Sequence, residues 1–506
     1  MSSRRITASR PRHRATFRRT APVNTMAAPV TQLGPLPGAP AQTRDDDDEG
    51  FEDLAEDLAA KSSLGVSALF TSPPPIIDAH WSHTLEVQNE TMHECLPLLA
   101  GARDNVELTR HGVPRLRRDV HVRFLHKQLG TLPPQFVAAD ASRPWFLFWC
   151  LNGLSLLGED VSSYRRQLID TARSMQNPDG GFGGGPGQVS HLATTFAVIL
   201  SIAVVGGEEA YEVIDRKAMW KWLNTLKQPD GSVQMVFGGE ADVRAAYCTA
   251  VTIGLLNMPL ELSPDSPAYT PDGKSTFYTG LGDYIRRCQT YEGGISGRPD
   301  AEAHGAYAFC ALACLSILDF PHRSIPKYLD VPRLISWLAS RQNAPEAGFS
   351  GRTNKLVDGC YAHWVGGCWP LIDTALNGGN DLEESPSLTA EVDWYNREGL
   401  IRYILSCAQD QTKRGGLRDK PSRPSDAYHT CYVLSGLTSA QHKWELKYVD
   451  DNDMILTEPV WKVSPRTGEG EIFEEEDRVS TMHPAYTIPE QKAYDTRAYF
   501  ATKPGF

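Results

Sequence analysis

From residue 145 the chain repeats one pattern of apolar and polar positions. An amphipathic segment with apolar residues at i, i+3 and i+4 ends in Gln: Leu168, Ala172 and Met175 precede Gln176, and Ile401, Ile404, Leu405 and Ala408 precede Gln409. A Gly-rich turn follows, then a second, more apolar helical segment. The Gln stands at 176, 228, 289, 342 and 409, and the turns read NPDGGFGGGPG, QPDGSV, YEGGISG, EAGFSG and KRGGLRD. A period near 50 residues with two helices per unit predicts a helical array, closed or open.

The longer spacings contain polar insertions, Ser263 to Ser275 and Asn377 to Ser387, which read as surface loops. Residues 1–64 read as a tail. Arg4, Arg5, Arg10, Arg12, Arg14, Arg18 and Arg19 come first, then an Ala/Pro/Thr stretch and the acidic block Asp45 to Glu49. Arg-rich and acid-free, its start fits a transit peptide; Pro11 and few apolar residues favour a solvated arm. Residues 65–445 carry the repeat, and 446–506 form an extension, acidic and irregular over 450–480.

A second regularity sits at the helix starts. Some 15–17 residues after each Gln stand His191, Arg244, His304, Asp358 and Asp426, and three residues further on Thr194, Tyr247, Tyr307, Tyr361 and His429. In equivalent units these side chains point the same way, and in a closed ring that way is the centre. Polar groups converging there form a site, because burying them singly costs several kcal/mol each, on the order of 2–7.

Composition narrows the class. The chain has 506 residues, 41% hydrophobic and 22% charged, which excludes a disordered chain; its 42 Gly and 35 Pro follow no collagen period. No run of 18 apolar residues exists, so no membrane span is expected. Ten cysteines and no secretory segment predict reduced thiols in an intracellular, cytoplasmic protein. The net charge is −12, or −19 without the seven arginines of residues 1–20, which excludes a nucleic-acid-binding body.

Three clusters carry candidate chemistry. In GRTNKLVDGCYAHW (351–364) and SDAYHTCY (425–432), Asp358, Cys360 and His429 offer oxygen, sulfur and nitrogen, the three-ligand set of a catalytic zinc site. Asp358 and Cys360 are two residues apart and can share a metal only at a helix start. The plainer reading is an N-cap Asp, a buried Cys and a core His. Arg352, Lys355, Arg244 and His304, with the Tyr361 hydroxyl, form a cationic cluster suited to phosphate, or else ion pairs with Asp242, Glu302 and Asp358. Trp145, Trp149, Tyr247, Tyr307, Trp364, Tyr428 and Tyr432 supply aromatic surface for an apolar chain, or simply core. Together they suggest a long-chain diphosphate beside a thiol-activating metal.

These strings, with DASRPWFLFW (140–149), PDGGFGGGPGQ (178–188), LKQPDGS (226–232), DVRAAYC (242–248), EAHGAYAFC (302–310) and DAYHTCYVLSGL (426–437), resemble the β subunits of protein prenyltransferases over residues 75–445. The closing HPAYTIP and KPGF fit as well. The resemblance implies an α/α barrel (toroid) of paired helices bound to a separate α subunit. It implies farnesyl transfer from farnesyl diphosphate to the Cys of a C-terminal CaaX motif, in proteins such as Ras-like GTPases. By motif match Asp358, Cys360 and His429 would hold zinc, and Asp419 of GGLRDK would place Mg²⁺. His304, Gly305, Arg352, Lys355 and Tyr361 would bind the diphosphate. Arg244, Tyr247, Tyr307, Cys310 and Trp364 would line the isoprenoid site. Trp145 and Tyr432, at the barrel floor in the family, would stop a fifteen-carbon chain, with Trp149 and Tyr428 beside them. Ser142 and His191 would meet the terminal CaaX residue. Asp426 would support His429.

The chain departs from the family's strings at Ala306, where a second Gly is usual, and at Thr194, where Pro is. Three other readings compete. A type I geranylgeranyltransferase β subunit is disfavoured by Trp145 and Tyr432. An isoprenoid cyclase would need a D-x-D-D motif in the cavity, whereas the dense Asp run, Asp45 to Asp48, is in the tail. A non-catalytic barrel is disfavoured by the intact Asp358, Cys360 and His429.

Overall fold

The computed structural model describes residues 80–101, 106–378, 393–447, 460–468 and 471–505. The tail 1–64, residues 65–79 and most of the second insertion lie outside them. The repeat resolves into pairs of helices, one amphipathic and one buried. Arg165–Met175 buries only Leu168, Ile169, Ala172 and Met175, whereas every residue of Leu192–Val205 is buried. An element apolar all round must be enclosed by others, so the second helix of each pair is the inner one.

The inner helices touch in a closed circuit: Arg143–Leu156, Leu192–Val205, Val243–Leu255, Gly305–Leu318, Tyr361–Trp364 and Ala427–Gln441, which returns to Arg143–Leu156. The outer partners are Arg118–Gln128, Arg165–Met175, Arg216–Leu226, Leu281–Arg287, Val331–Ala339 and Arg397–Tyr403. The first pair's outer helix also ends in a Gln, Gln128, but no Gly-rich turn follows it. Its connection ends in the 3₁₀ segment Pro134–Ser142, which is why the repeat pattern misses it.

The repeat Gln has a physical reason. Its amide both donates and accepts, and it spans the seam to the next unit's outer-helix cap. Gln289 accepts from Asp330 N at 2.8 Å and donates to Asp330 O at 3.0 Å; Gln342 does the same with Asn396, both at 2.8 Å. Gln409 closes the ring on the first unit, accepting from Arg117 N at 2.8 Å and donating to Arg115 O at 3.1 Å. The buried His121 accepts from Gly416 N, so its other nitrogen donates to Gln409 Oε1 at 2.8 Å. The turn glycines complete the seams. Gly180 (φ +95°) leaves no room for a Cβ, which would lie 2.1 Å from Met219 N in the next outer helix, and Gly415 (φ +69°) packs on Val120 in the same way.

One register assignment is corrected here. In the third unit the bridge pairs Lys227 with Val233, so Lys227 and not Gln228 occupies the Gln position. Lys227 Nζ donates to Gly231 O at 2.7 Å, as Gln289 does to Gly293 O at 2.9 Å. An ammonium group cannot accept, so this side chain makes no two-way bridge; Gly231 instead packs on the Gly280 backbone.

The C-terminal extension is less irregular than its sequence suggests. His442–Lys447 and Val460–Pro465 pair as an antiparallel ribbon, with Trp444, Leu446 and Trp461 buried. Residues 480–487 then plug the ring at the C-terminal ends of the inner helices. Ser480 N donates to Leu156 O, Asn152 to Thr487 O, Thr438 to Ser480 O and Tyr247 OH to Ala485 O. All ten cysteines are free and buried, and no helix among the described residues is long and apolar enough to cross a membrane.

Burial lowers Lys227 from its ordinary 10.5 to about 8. The unfolded chain therefore binds more protons between those values, and stability rises with pH across that window. Lys227→Gln should remove this rise and stabilise the protein at pH 7 by up to about 3 kcal/mol, as the shift implies. Urea unfolding of both forms at pH 7 and pH 9.5 measures it; equal pH slopes would refute the assignment.

Candidate active site

The mouth of the ring is built by the starts of the inner helices. In four of the six units an N–H at the inner-helix start is tied to the next unit's turn: Leu192 N to Met235 O, Val243 N to Gly297 O, Gly305 N to Gly351 O and Gly359 N to Asp419 O, all at 2.8–2.9 Å. The residue before each is therefore the equivalent position: His191, Asp242, His304 and Asp358. This corrects the third unit, where Asp242 and not Arg244 is the cap, its Oδ1 accepting from Arg244 N and Ala245 N. Arg244 lies two residues on and pairs with Asp242 and Glu240.

Asp358, Cys360 and His429 meet at this mouth, with ligand atoms all within 4.8 Å of one another. Cys360 immediately precedes the short helix Tyr361–Trp364, and Asp358 Oδ1 accepts from Cys360 N at 2.9 Å. The helix start turns the two side chains to one side despite their spacing. His429 comes from the next inner helix. Its Nδ1 bonds Asp426 Oδ2 at 2.7 Å, while Asp426 Oδ1 caps the helix at His429 N.

His429 Nε2 is buried without a hydrogen-bond partner, although Asp358 Oδ1 lies 3.2 Å away. The separation suits an ion pair, but the angle makes no hydrogen bond, and the angle decides. A sulfur, a nitrogen and an oxygen converge on an orphaned ring nitrogen whose opposite nitrogen is held by a carboxylate, so the donor set fits a divalent metal. Burial and the Asp358 charge push the Cys360 thiol up, which keeps it protonated until a cation arrives. Burial works against a charge on His429, but Asp358 and Asp426 hold its proton affinity above the usual range.

Beside this cluster lie His304, Tyr361, Arg352 and Lys355. His304 caps its helix by accepting from Ala306 N on Nδ1, so its proton is on Nε2, 3.1 Å from the Tyr361 hydroxyl. Burial and then Arg352 lower His304 to about 4, so it is neutral at pH 7. The Tyr361 hydroxyl, accepting from His304, keeps its own proton to donate. Gly351 must lack a side chain, since a Cβ there would lie 2.0 Å from the Tyr361 ring. Arg352 pairs with Glu302 at 2.8 Å, while Lys355 is exposed with no ion pair among the described residues. The Asp419 carboxylate pairs with Lys420, and burial, then Asp358, pushes it up. Gly305 is buried where a Cβ would meet Val365, and Ala306 is half-buried.

Below the mouth the aromatic side chains form a circuit. Trp145 meets Phe196, which meets Tyr247, then Phe309, Trp364, Tyr432, Tyr428 and Trp149, which stacks on Trp145; successive ring centroids are 4.4–5.9 Å apart. Trp145, Trp149, Trp364 and Tyr428 are half-buried, so part of each ring stays accessible. The Tyr307 ring lies tilted against His304, and Cys310 is a buried thiol raised to about 12 by burial. Ser142 and His191 stand at the first two inner-helix starts; neither hydrogen-bonds to another of these side chains. The Thr194 hydroxyl is spent on Phe182 O.

Phe196, Phe309 and His363 escaped the sequence reading. Five residues past the caps His191, Asp242 and His304 stand Phe196, Tyr247 and Phe309; the two-residue misregister at Arg244 hid that series. His363 is fully buried, neither ring nitrogen has a partner, and burial lowers it to about 3.

Fold and site together define a class. The chain matches the prenyltransferase alpha-alpha toroid domain over residues 116–488. The protein geranylgeranyltransferase-I of Candida albicans, solved with GGPP, shares the fold at 19% identity, with a TM-score of 0.56 over 77% of this chain and all of that one. Two relatives narrow it. The protein farnesyltransferase subunit β of Pyricularia oryzae is 59% identical over 88% of this chain and 86% of its own, and that of Schizosaccharomyces pombe is 36% identical over 83% and 98%. The chain belongs to the protein farnesyltransferase β subunits.

Helix Ala427–Gln441 reaches the cluster by close packing at Gly436, where a Cβ would lie 2.3 Å from the Ala362 backbone. Gly436→Ala should push His429 away from Cys360 and destabilise the fold by about 1–3 kcal/mol. Divalent-metal uptake by equilibrium dialysis should fall with it; normal uptake would show that the helix contact does not set the cluster.

Proposed function

We propose that this chain is the catalytic subunit of a zinc-dependent protein farnesyltransferase, acting with an α subunit in the cytoplasm. It transfers the farnesyl group of farnesyl diphosphate to the Cys thiol of a C-terminal CaaX motif, in proteins such as Ras-like GTPases. What supports this reading is one mouth that brings together a sulfur–nitrogen–oxygen donor set, the residues of the cationic cluster and the aromatic circuit.

Asp358, Cys360 and His429 would hold the zinc, with Asp426 fixing the His429 ring. When bound, zinc keeps the incoming thiol as thiolate at neutral pH, where a free thiol of pKa about 8.5 is mostly protonated. The aromatic circuit binds the isoprenoid by apolar contact and excludes water. Tyr361 donates its hydroxyl proton to a diphosphate oxygen, its own oxygen held by His304 Nε2–H. Arg352 and Lys355 add positive charge where the leaving diphosphate gains negative charge, and Asp419 would place Mg²⁺ there. The thiolate forms the C–S bond at the allylic carbon as the C–O bond to diphosphate breaks. Trp145 and Tyr432 limit the chain to fifteen carbons, and Ser142 and His191 face the terminal CaaX residue.

The chain co-expressed with a farnesyltransferase α subunit should hold about one zinc per heterodimer, the single-site expectation. It should prefer farnesyl to geranylgeranyl diphosphate with a CaaX peptide, and Cys360→Ala should lose both zinc and transfer. Zinc without transfer to any CaaX peptide would reduce the chain to a metal-binding toroid. Trp145→Thr should admit geranylgeranyl diphosphate; an unchanged donor preference would remove Trp145 as the length stop.

A further inference from the structure

His363 is fully buried against the aromatic circuit. Its ring packs on Phe309 (4.4 Å between centroids), Trp364 (4.8 Å) and Tyr432 (5.2 Å), three circuit members from three inner helices. Behind it Gly367 closes the space, since a Cβ there would lie 3.2 Å from Phe309 and 3.3 Å from His363 Nδ1. Neither ring nitrogen has a hydrogen-bond partner, and a buried polar atom left unpaired is destabilising. A residue serving stability alone would be Phe. An imidazole in this place makes sense by its size, since a five-membered ring lets Trp364 and Tyr432 sit further back than a phenyl would.

We infer that His363 is a positioning residue for the isoprenoid wall: by backing Trp364 and Tyr432 it sets the room available to the end of the donor chain, and so contributes to the choice between fifteen and twenty carbons. The inference rests on the farnesyl-binding reading of the aromatic cavity. His363 touches neither the donor nor the reacting atoms and acts only through the rings in front of it. Removing its ring leaves a void into which those two rings retreat, and a longer chain then fits.

The test uses the zinc-loaded heterodimer. Binding of farnesyl and geranylgeranyl diphosphate is read by quenching of tryptophan emission, and kcat/KM is measured for each. His363→Ala should raise the geranylgeranyl-to-farnesyl ratio about tenfold in both measurements, with zinc content unchanged; a shift of that size is about 1.4 kcal/mol. His363→Phe, whose larger ring holds Trp364 and Tyr432 further forward, should bring the geranylgeranyl-to-farnesyl ratio to or below that of wild type, with a Tm no lower, a combination that loss of the fold cannot produce. If the Ala variant does not assemble, His363→Val serves in its place. A ratio within twofold of wild type in a folded Ala or Val variant overturns the inference. Wild-type heterodimer that binds neither diphosphate overturns the cavity reading, and the inference with it.

Discussion

The structure depends on its seams. An inner helix buried on every side has no surface of its own, so it exists only inside a closed ring, and the ring closes only if each unit grips the next. The grip is polar on both edges. At the outer edge Gln289, Gln342 and Gln409 each donate to and accept from the start of the next outer helix; at the mouth an N–H at the inner-helix start donates to the next unit's turn. Each neutral bond contributes only about 1 kcal/mol net. They matter because an open ring would strand buried donors and acceptors at every seam. Gln409 is the link on which closure turns, since it joins the last unit to the first, with His121 wedged against it.

That construction places the site. Because every inner helix starts at the same level, polar residues from successive units share one mouth. Asp358 and Cys360 come from the fifth unit, His429 from the sixth and His304 from the fourth. No single unit holds the site, so its geometry follows the closure of the ring. The electrostatics divide accordingly. His304 is neutral because it is buried beside Arg352, which suits it to donate through Tyr361, while His429 lies between two carboxylates, which suits it to a cation.

Much of the site was legible in the chain, and the residues say why. Asp358, Cys360 and His429 lie in long, specific strings, and Cys360 falls at a helix start because a Gly-rich turn precedes it. The ion pairs Arg244–Asp242 and Arg352–Glu302, weighed against an anion site, both form, and Lys355 of that cluster has no ion pair among the described residues. What was not legible came from register. Lys227 took the place of a Gln and Asp242 that of Arg244; both are extended residues at helix ends, where successive side chains point to opposite sides and a small shift brings a different one to the seam or the mouth. His363 carried no signal at all: a lone His in an apolar string reads as core, and only the three rings around it give it a place.

The sequence by itself determined the helical repeat, its period and the donor types at the helix starts, because apolar spacing and turn glycines are local properties of the chain. Closure, the identity of the first unit and the continuity of the aromatic circuit were decided by tertiary structure alone. Those features depend on which residues face one another across hundreds of positions, as Arg117 faces Gln409. No local pattern records such a pairing; only packing the whole ring selects it.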